Sequence, residues 1–149
     1  GLLAYSPFFF YQYFFKKKYR RNFAKRIGGQ KVLAPRNKPV IWIHAVSVGE
    51  IKGISSFVKL LREKYPNHFL IISSITETGH KAAKESCPFA DQHLFLPFDL
   101  PYTILRLLRG VQIDLVLVSE TDVWPNFLAR CKNKGALIGL INGKISKTI

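Results

Sequence analysis

The stretch Val40-Ile-Trp-Ile-His-Ala-Val46 decides the fold of this chain. It is apolar apart from His44, too short for a helix, and it lacks the alternation of a half-exposed strand. Such a run predicts a strand buried on both faces, as in a parallel sheet. The turn Ser47-Val-Gly49 follows, and apolar residues at helical spacing then predict a helix over residues 50–65.

The same alternation of strand and helix continues along the chain. Short apolar runs at 68–73, 93–96, 114–119 and 136–141 predict four more strands, and the amphipathic stretches between them predict helices. Right-handed crossovers between parallel strands place helices on both faces, so the expected fold is α/β, an open Rossmann-like sheet. Ligands of such sheets bind at the carboxyl ends of the strands, which confines the candidate site to the loops found there.

Most of the positive charge lies near the amino terminus. The net charge is +14, and the segment from Lys16 to Lys38 contains Lys and Arg but no acid. Residues 1–15 before it are uncharged and rich in Phe and Tyr; as a helix they would be about 22 Å long, shorter than the roughly 30 Å hydrocarbon layer. We therefore interpret residues 1–22 as a truncated membrane anchor with a basic flank. The positive-inside rule then puts residues 23–149 on the cytoplasmic face of the membrane.

The order of charge and apolar residues in this segment bears on two other interpretations. A cleaved signal peptide carries its charge before the apolar region, the reverse of the order here. A nucleic-acid-binding arm would use the basic residues together with Tyr19 and Phe23, but the contiguous Phe8-Phe9-Phe10 favours an anionic membrane surface over nucleic acid. Cys87 and Cys131 have no CxxC spacing, so the sequence predicts no disulfide framework and no metal site.

Acidic residues follow two of the predicted strands. Glu50 comes just after Gly49, where the absence of a side chain would let a substrate approach the backbone. It is either a general base or simply an acid that offsets a helix dipole. Glu120 and Asp122 follow the fourth strand, and they share an edge with Glu50 if the two strands are neighbours. Asp122 is expected to cap the next helix.

Five motifs in order along the chain resemble those of bacterial 3-deoxy-D-manno-octulosonic acid (Kdo) transferases. They are His-Ala-Val-Ser-Val-Gly-Glu at 44–50, Thr-Glu-Thr-Gly at 76–79, Leu-Pro-Phe-Asp at 96–99, Glu-Thr-Asp-Val-Trp-Pro-Asn at 120–126 and Ile-Asn-Gly-Lys-Ile-Ser at 141–146. The resemblance covers essentially the whole chain, and its first and fourth motifs are the most specific.

The resemblance implies the N-terminal, acceptor-side domain of a GT-B glycosyltransferase that is inverting and needs no metal or other cofactor. The donor would be CMP-Kdo and the acceptor lipid IVA, a lipid A precursor in lipopolysaccharide biosynthesis. Glu50 would be the proton acceptor and Glu120 would stabilise the transition state. Candidate substrate-binding residues on the same loops are Ser47, Gly49, Thr78, Gly79, Asn126 and Lys144.

Two positions depart from the family pattern, which usually has Glu at 122 and Arg at 144 where this chain has Asp122 and Lys144. A bidentate role of that arginine would not transfer to lysine. The sequence also leaves open another GT-B glycosyltransferase with a lipid-linked acceptor, or a membrane-tethered binding module. We expect the 149 residues to be a fragment that lacks the C-terminal donor domain, and to be inactive alone.

Overall fold

The computed structural model describes residues 29–119 and 124–141. Strands and helices alternate strictly through these ranges. The strands are β1 (Val40–His44), β2 (Phe69–Ser74), β3 (Gln92–Phe95), β4 (Leu115–Ser119) and β5 (Leu137–Ile141), and the helices are α1 (Val48–Lys64), α2 (Glu77–Ser86), α3 (Pro101–Leu107) and α4 (Pro125–Asn133).

The strands form one parallel sheet in the order β3-β2-β1-β4-β5, which confirms the predicted α/β fold. β1 is the central strand, and all five of its residues are buried. Full burial explains why this strand is an unbroken apolar run, since a parallel sheet covered by helices has no solvent-facing side at its centre.

The helices divide between the two faces of the sheet. Ile51, Ile54 and Val58 of α1 pack with α2 in one core cluster. Ile104 of α3 and Phe127 of α4 pack with Trp42 in the cluster on the other face. The predicted covering of both faces is therefore confirmed. The cysteines are free and buried on opposite faces, Cys87 in the α1/α2 cluster and Cys131 in the α3/α4 cluster.

The predicted boundaries lie within a few residues of the observed ones. Residues 76–79, the second of the five motifs, form the cap and the first turn of α2, which begins at Glu77. Thr76 is its N-cap, and the Thr76 hydroxyl accepts a hydrogen bond from the amide of Gly79 at 3.0 Å. A threonine cap satisfies an amide at the helix start, so the turn is the first turn of the helix itself.

The segment that leads into β1 covers the free edge of β3. The side-chain amide of Gln30 donates to the Phe95 carbonyl and accepts from the Phe95 amide, and the side chain of Gln92 bonds in the same way to Leu33 N and Lys31 O. These contacts run antiparallel to β3, so Gln30 lies at the carboxyl end of that strand. Within the described ranges no helix is both long and apolar enough to cross a membrane. The predicted anchor, residues 1–22, lies outside those ranges.

Candidate functional site

The candidate site lies where the chain changes direction across the sheet. From β1 the chain moves through β2 to β3, and it then returns to β4 on the other side of β1. α1 leaves the end of β1 toward one face, whereas α4 leaves the end of β4 toward the opposite face. The two loops therefore diverge above the boundary between these strands, and such a switch point is where open α/β sheets bind ligands.

Glu50 is fixed at this switch point by a reciprocal capping box. The Ser47 hydroxyl accepts from the Glu50 amide at 3.1 Å, and Glu50 Oε2 accepts from the Ser47 amide at 3.2 Å. A second bond to Oε2 comes from the Val46 amide at 2.7 Å. The carboxylate thus folds back over the end of β1, and its orientation is set by the backbone.

The same arrangement leaves the second carboxylate oxygen of Glu50 without a backbone hydrogen bond from the described part of the chain. Both bonds go to Oε2, and Oε1 of Glu50 accepts no hydrogen bond from any residue in 29–119 or 124–141. The side chain is half-buried, so part of it is exposed to solvent. Glu50 therefore performs the structural role that its helix position suggested while Oε1 can still accept a proton, which is the geometry of a pre-oriented base.

Gly49 and Gly79 occupy different environments. A Cβ at Gly49 would meet only the Ser47 hydroxyl, at 3.9 Å, so the fold does not need glycine there. A Cβ at Gly79 would lie 3.1 Å from Thr76 Oγ1, 3.2 Å from the Val46 carbonyl and 3.3 Å from the Ser74 Cβ. The glycine at 79 lets α2 approach the loop after β1, which brings exposed Thr78 toward the loop that carries Glu50.

A buried polar network forms the floor beneath this loop. Trp42 Nε1 donates to Ser73 Oγ at 2.8 Å, and Ser73 Oγ lies 2.8 Å from His44 Nδ1. Because the tryptophan can only donate, the serine hydroxyl proton is available to the imidazole. Burial lowers the pKa of His44 to about 3, against the smaller opposing effect of a hydrogen bond with the Ser73 backbone. The imidazole is therefore neutral at physiological pH, and His44 is a buried core histidine.

Trp124 connects this floor to α4. Its ring meets that of His44 edge to face, with centroids 5.5 Å apart, and it packs against the α3/α4 cluster. The start of α4 is thereby held against the end of β1. Trp124 therefore has a packing role in this structure.

Asp99 caps the start of α4, whereas Asp122, which the sequence favoured for this role, lies outside the described residues. Asp99 lies in the loop between β3 and α3, and its carboxylate accepts from the amides of Asn126 at 3.0 Å and Phe127 at 2.8 Å. The Asn126 side chain donates to the Asp99 carbonyl at 2.7 Å. The contacts of Asn126 therefore tie two loops together. Asp99 belongs to the Leu-Pro-Phe-Asp motif, but capping rules consider only residues next to the helix, so they could not predict a cap from 27 residues away.

Glu120 and Lys144 lie outside the described residues. β4 ends at Ser119, directly before Glu120, and Val118 of β4 pairs with His44 of β1. The condition under which the acids share an edge, that their strands are neighbours, is therefore met. In ranges 29–119 and 124–141, no three His, Cys, Asp or Glu side chains cluster as metal ligands would.

Fold and site together define a Rossmann-like α/β domain with a backbone-fixed carboxylate at its ligand-binding edge. The family model described as 3-deoxy-D-manno-octulosonic-acid transferase (kdotransferase) matches residues 21–148. The chain belongs to this family of glycosyltransferases.

Curated relatives carry the same name. A 3-deoxy-D-manno-octulosonic acid transferase of Chlamydia trachomatis is 34% identical over 143 residues, which is 95% of this chain and 33% of the relative. That of Haemophilus influenzae is 31% identical over 129 residues, 87% of this chain and 30% of the relative. A probable mitochondrial 3-deoxy-D-manno-octulosonic acid transferase of Arabidopsis thaliana is 25% identical over 122 residues, which is 82% of this chain and 27% of the relative. The chain spans about a third of the length of these relatives, and no solved structure matches it.

Proposed function

We propose that this chain is the N-terminal, acceptor-side domain of a GT-B glycosyltransferase that transfers Kdo from CMP-Kdo to lipid IVA with inversion. The observation that carries the proposal is the position of Glu50, whose carboxylate is held by two backbone amides at the carboxyl edge of the sheet and keeps Oε1 for a proton. Membership of the Kdo transferase family supports the sugar that is transferred.

In the proposed reaction, Glu50 Oε1 takes the proton of an acceptor hydroxyl while that oxygen bonds to the anomeric carbon of Kdo. The bond from this carbon to the phosphate oxygen breaks, and CMP leaves with the bonding electrons. Glu120 stabilises the charge that develops, and Ser47, Gly49, Thr78 and Lys144 contact substrate. Attack on the face opposite the leaving group inverts the anomeric centre.

The donor site is proposed to lie in a second Rossmann-like domain C-terminal to this chain. The aromatic segment 1–15 and the basic block from Lys16 to Lys38 hold the protein at the bacterial inner membrane, with the globular part on the cytoplasmic face. The charge of that block supports this assignment, since juxtamembrane basic residues are attracted to anionic lipid.

The decisive experiment is Glu50→Gln in the full-length protein, with Kdo transfer from CMP-Kdo to lipid IVA as the assay. Glutamine also satisfies a capping box, so the variant keeps the fold of the loop but cannot accept a proton. We expect the rate of Kdo transfer to fall by about 10²- to 10⁴-fold and the free energy of unfolding to stay unchanged.

Ser47→Ala separates the cap from the base. It removes the cap and is expected to cost about 1 kcal/mol of stability. Transfer should also fall, because Ser47 is proposed to contact substrate, but far less than in the glutamine variant. If Glu50→Gln transferred Kdo as fast as the parent enzyme, Glu50 would not be the base. Transfer of a different sugar would instead refute the proposed donor.

A further inference from the structure

The outward side of α3 combines apolar and basic residues. Leu100, Tyr102 and Leu105 are 49%, 68% and 42% exposed, although each has a large side chain that burial would favour. Arg106 and Arg109, also exposed, complete this side, because positions 102, 105–106 and 109 recur at helical spacing. Thr103, Ile104, Leu107 and Leu108 point the other way, into the core. We call Leu100, Tyr102, Leu105, Arg106 and Arg109 the α3 surface.

Among the described residues, net positive charge is concentrated on the face of the sheet that carries α3 and α4. No Asp or Glu occurs in residues 100–113 or 124–141, whereas five basic residues do: Arg106, Arg109, Arg130, Lys132 and Lys134. Asp99 is bound to the amides that start α4, and Asp114 accepts from the Val40 amide at 2.7 Å.

The acids on the opposite side offset the bases there. α1 and α2 carry Glu50, Glu63, Glu77 and Glu85 among their lysines, and Asp91 is paired with Arg62 of α1 at 2.8 Å. Among residues 29–119 and 124–141, the bases of the α3 side are therefore not matched by acids as those of α1 and α2 are.

The segment that follows the basic block extends this surface. Val32 packs into the same core cluster as Ile104 and Leu108 of the α3 side, so the segment lies on that face of the sheet. Leu33 next to it is 62% exposed, and Lys31 is exposed beside it. Through Gln30 and Phe95 the segment enters at the carboxyl edge, near the start of α3.

We propose that the α3 surface rests directly on anionic lipid headgroups and is a membrane contact separate from residues 1–28. A tyrosine with neighbouring leucines suits the boundary between acyl chains and headgroups. The two arginines lie beside these apolar side chains and can bind phosphate oxygens in a bidentate manner. Together with the attachment proposed above for the amino-terminal segment, on which this step rests, it makes two attachments, which fix the orientation of the domain with the face that carries α3 toward the bilayer. The proposal does not depend on which sugar the protein transfers.

A fluorescent probe on the surface tests this directly in the 149-residue chain. Leu105→Cys is labelled with an environment-sensitive dye, and Leu60→Cys on α1, where Leu60 is 63% exposed on the opposite face, is the matched control. The native cysteines are fully buried and do not compete for the label. With vesicles of equal parts phosphatidylglycerol and phosphatidylcholine, we expect the dye at 105 to brighten, shift to the blue and be quenched by spin-labelled acyl chains.

The dye at 60 should not respond. An equal response at the two positions, or none at 105 while the chain sediments with the vesicles, overturns the proposal. A response at 105 that appears without lipid and grows with protein concentration would also overturn it, because a second copy of the chain would then be the partner.

A charge variant gives an independent test. Arg106→Gln with Arg109→Gln removes two exposed basic residues three positions apart, and Lys81→Gln with Lys84→Gln on α2 removes a matched pair from the opposite face. We expect the first pair to weaken partition into these vesicles by about 25-fold and the second by less than about 3-fold. Equal losses would mean that net charge alone drives binding, and the α3 surface would then have no special role.

Discussion

Replacement of Asp99 tests whether a contact between distant loops supports the site. The Asp99 carboxylate accepts from two amides in the first turn of α4, and the contact is partly buried. Asp99→Ala leaves both amides without this partner. Loss of a helix cap costs about 1 kcal/mol, and hydrogen bonds to a charged group contribute about 1.5–3 kcal/mol.

We therefore expect Asp99→Ala to lower the free energy of unfolding by about 2 kcal/mol. In a chain of this size the corresponding fall in Tm is about 4–8 °C. Asp99→Asn keeps an acceptor oxygen but loses the charge that interacts with the helix dipole, so about 1 kcal/mol is expected.

Urea unfolding followed by circular dichroism at pH 7 measures these values. Glu85→Ala, an exposed acid on α2, is the control and should change stability by less than about 0.5 kcal/mol. The argument is wrong if Asp99→Ala is as stable as this control, because α4 would then start equally well without the tertiary cap.

Three residues give two further predictions. Gly79→Ala places a Cβ 3.2 Å from the Val46 carbonyl and should lower the free energy of unfolding in urea by about 1–3 kcal/mol. Gly49→Ala, where the new Cβ meets open space, should leave this free energy unchanged or higher. Equal effects of the two substitutions would refute the packing role of Gly79. Burial lowers the pKa of His44 to about 3, so below pH 6.5 the unfolded chain takes up a proton that the folded chain does not. The contribution of His44 to the free energy of unfolding should therefore fall by about 1.4 kcal/mol per pH unit from pH 6.5 toward pH 4. His44→Gln should remove this pH dependence. An identical pH dependence in both proteins would show that His44 is not neutral in the folded chain.

Much of the architecture was predictable because it depends on local pattern. The apolar run at 40–46 predicted a buried parallel strand, and β1 is buried along its whole length. The motif around Glu50 likewise identified a residue that the structure places at the ligand edge, and glycine before a helix start already marked the loop. Sequence alone offered two roles for Glu50, an acid that offsets the helix dipole and a general base. The structure shows that the cap uses Oε2 and leaves Oε1, so the two roles are compatible.

Only the tertiary structure shows which segments distant in the chain contact each other. Capping rules consider the few residues before a helix, so they favoured Asp122 for α4, but the amides bind Asp99 from another loop. Ser73, which joins Trp42 and His44 beneath the site, has no motif that marks it. The α3 surface likewise is recognised only in the folded sheet, where the described helices on one face, α3 and α4, carry bases and those on the other, α1 and α2, carry both acids and bases. Local sequence determined which segments form strands and helices and which loops follow the strands at the candidate site, because periodicity and turns act over neighbouring residues. Folding determined which side chains meet there, because strand order brings together residues that no local pattern connects.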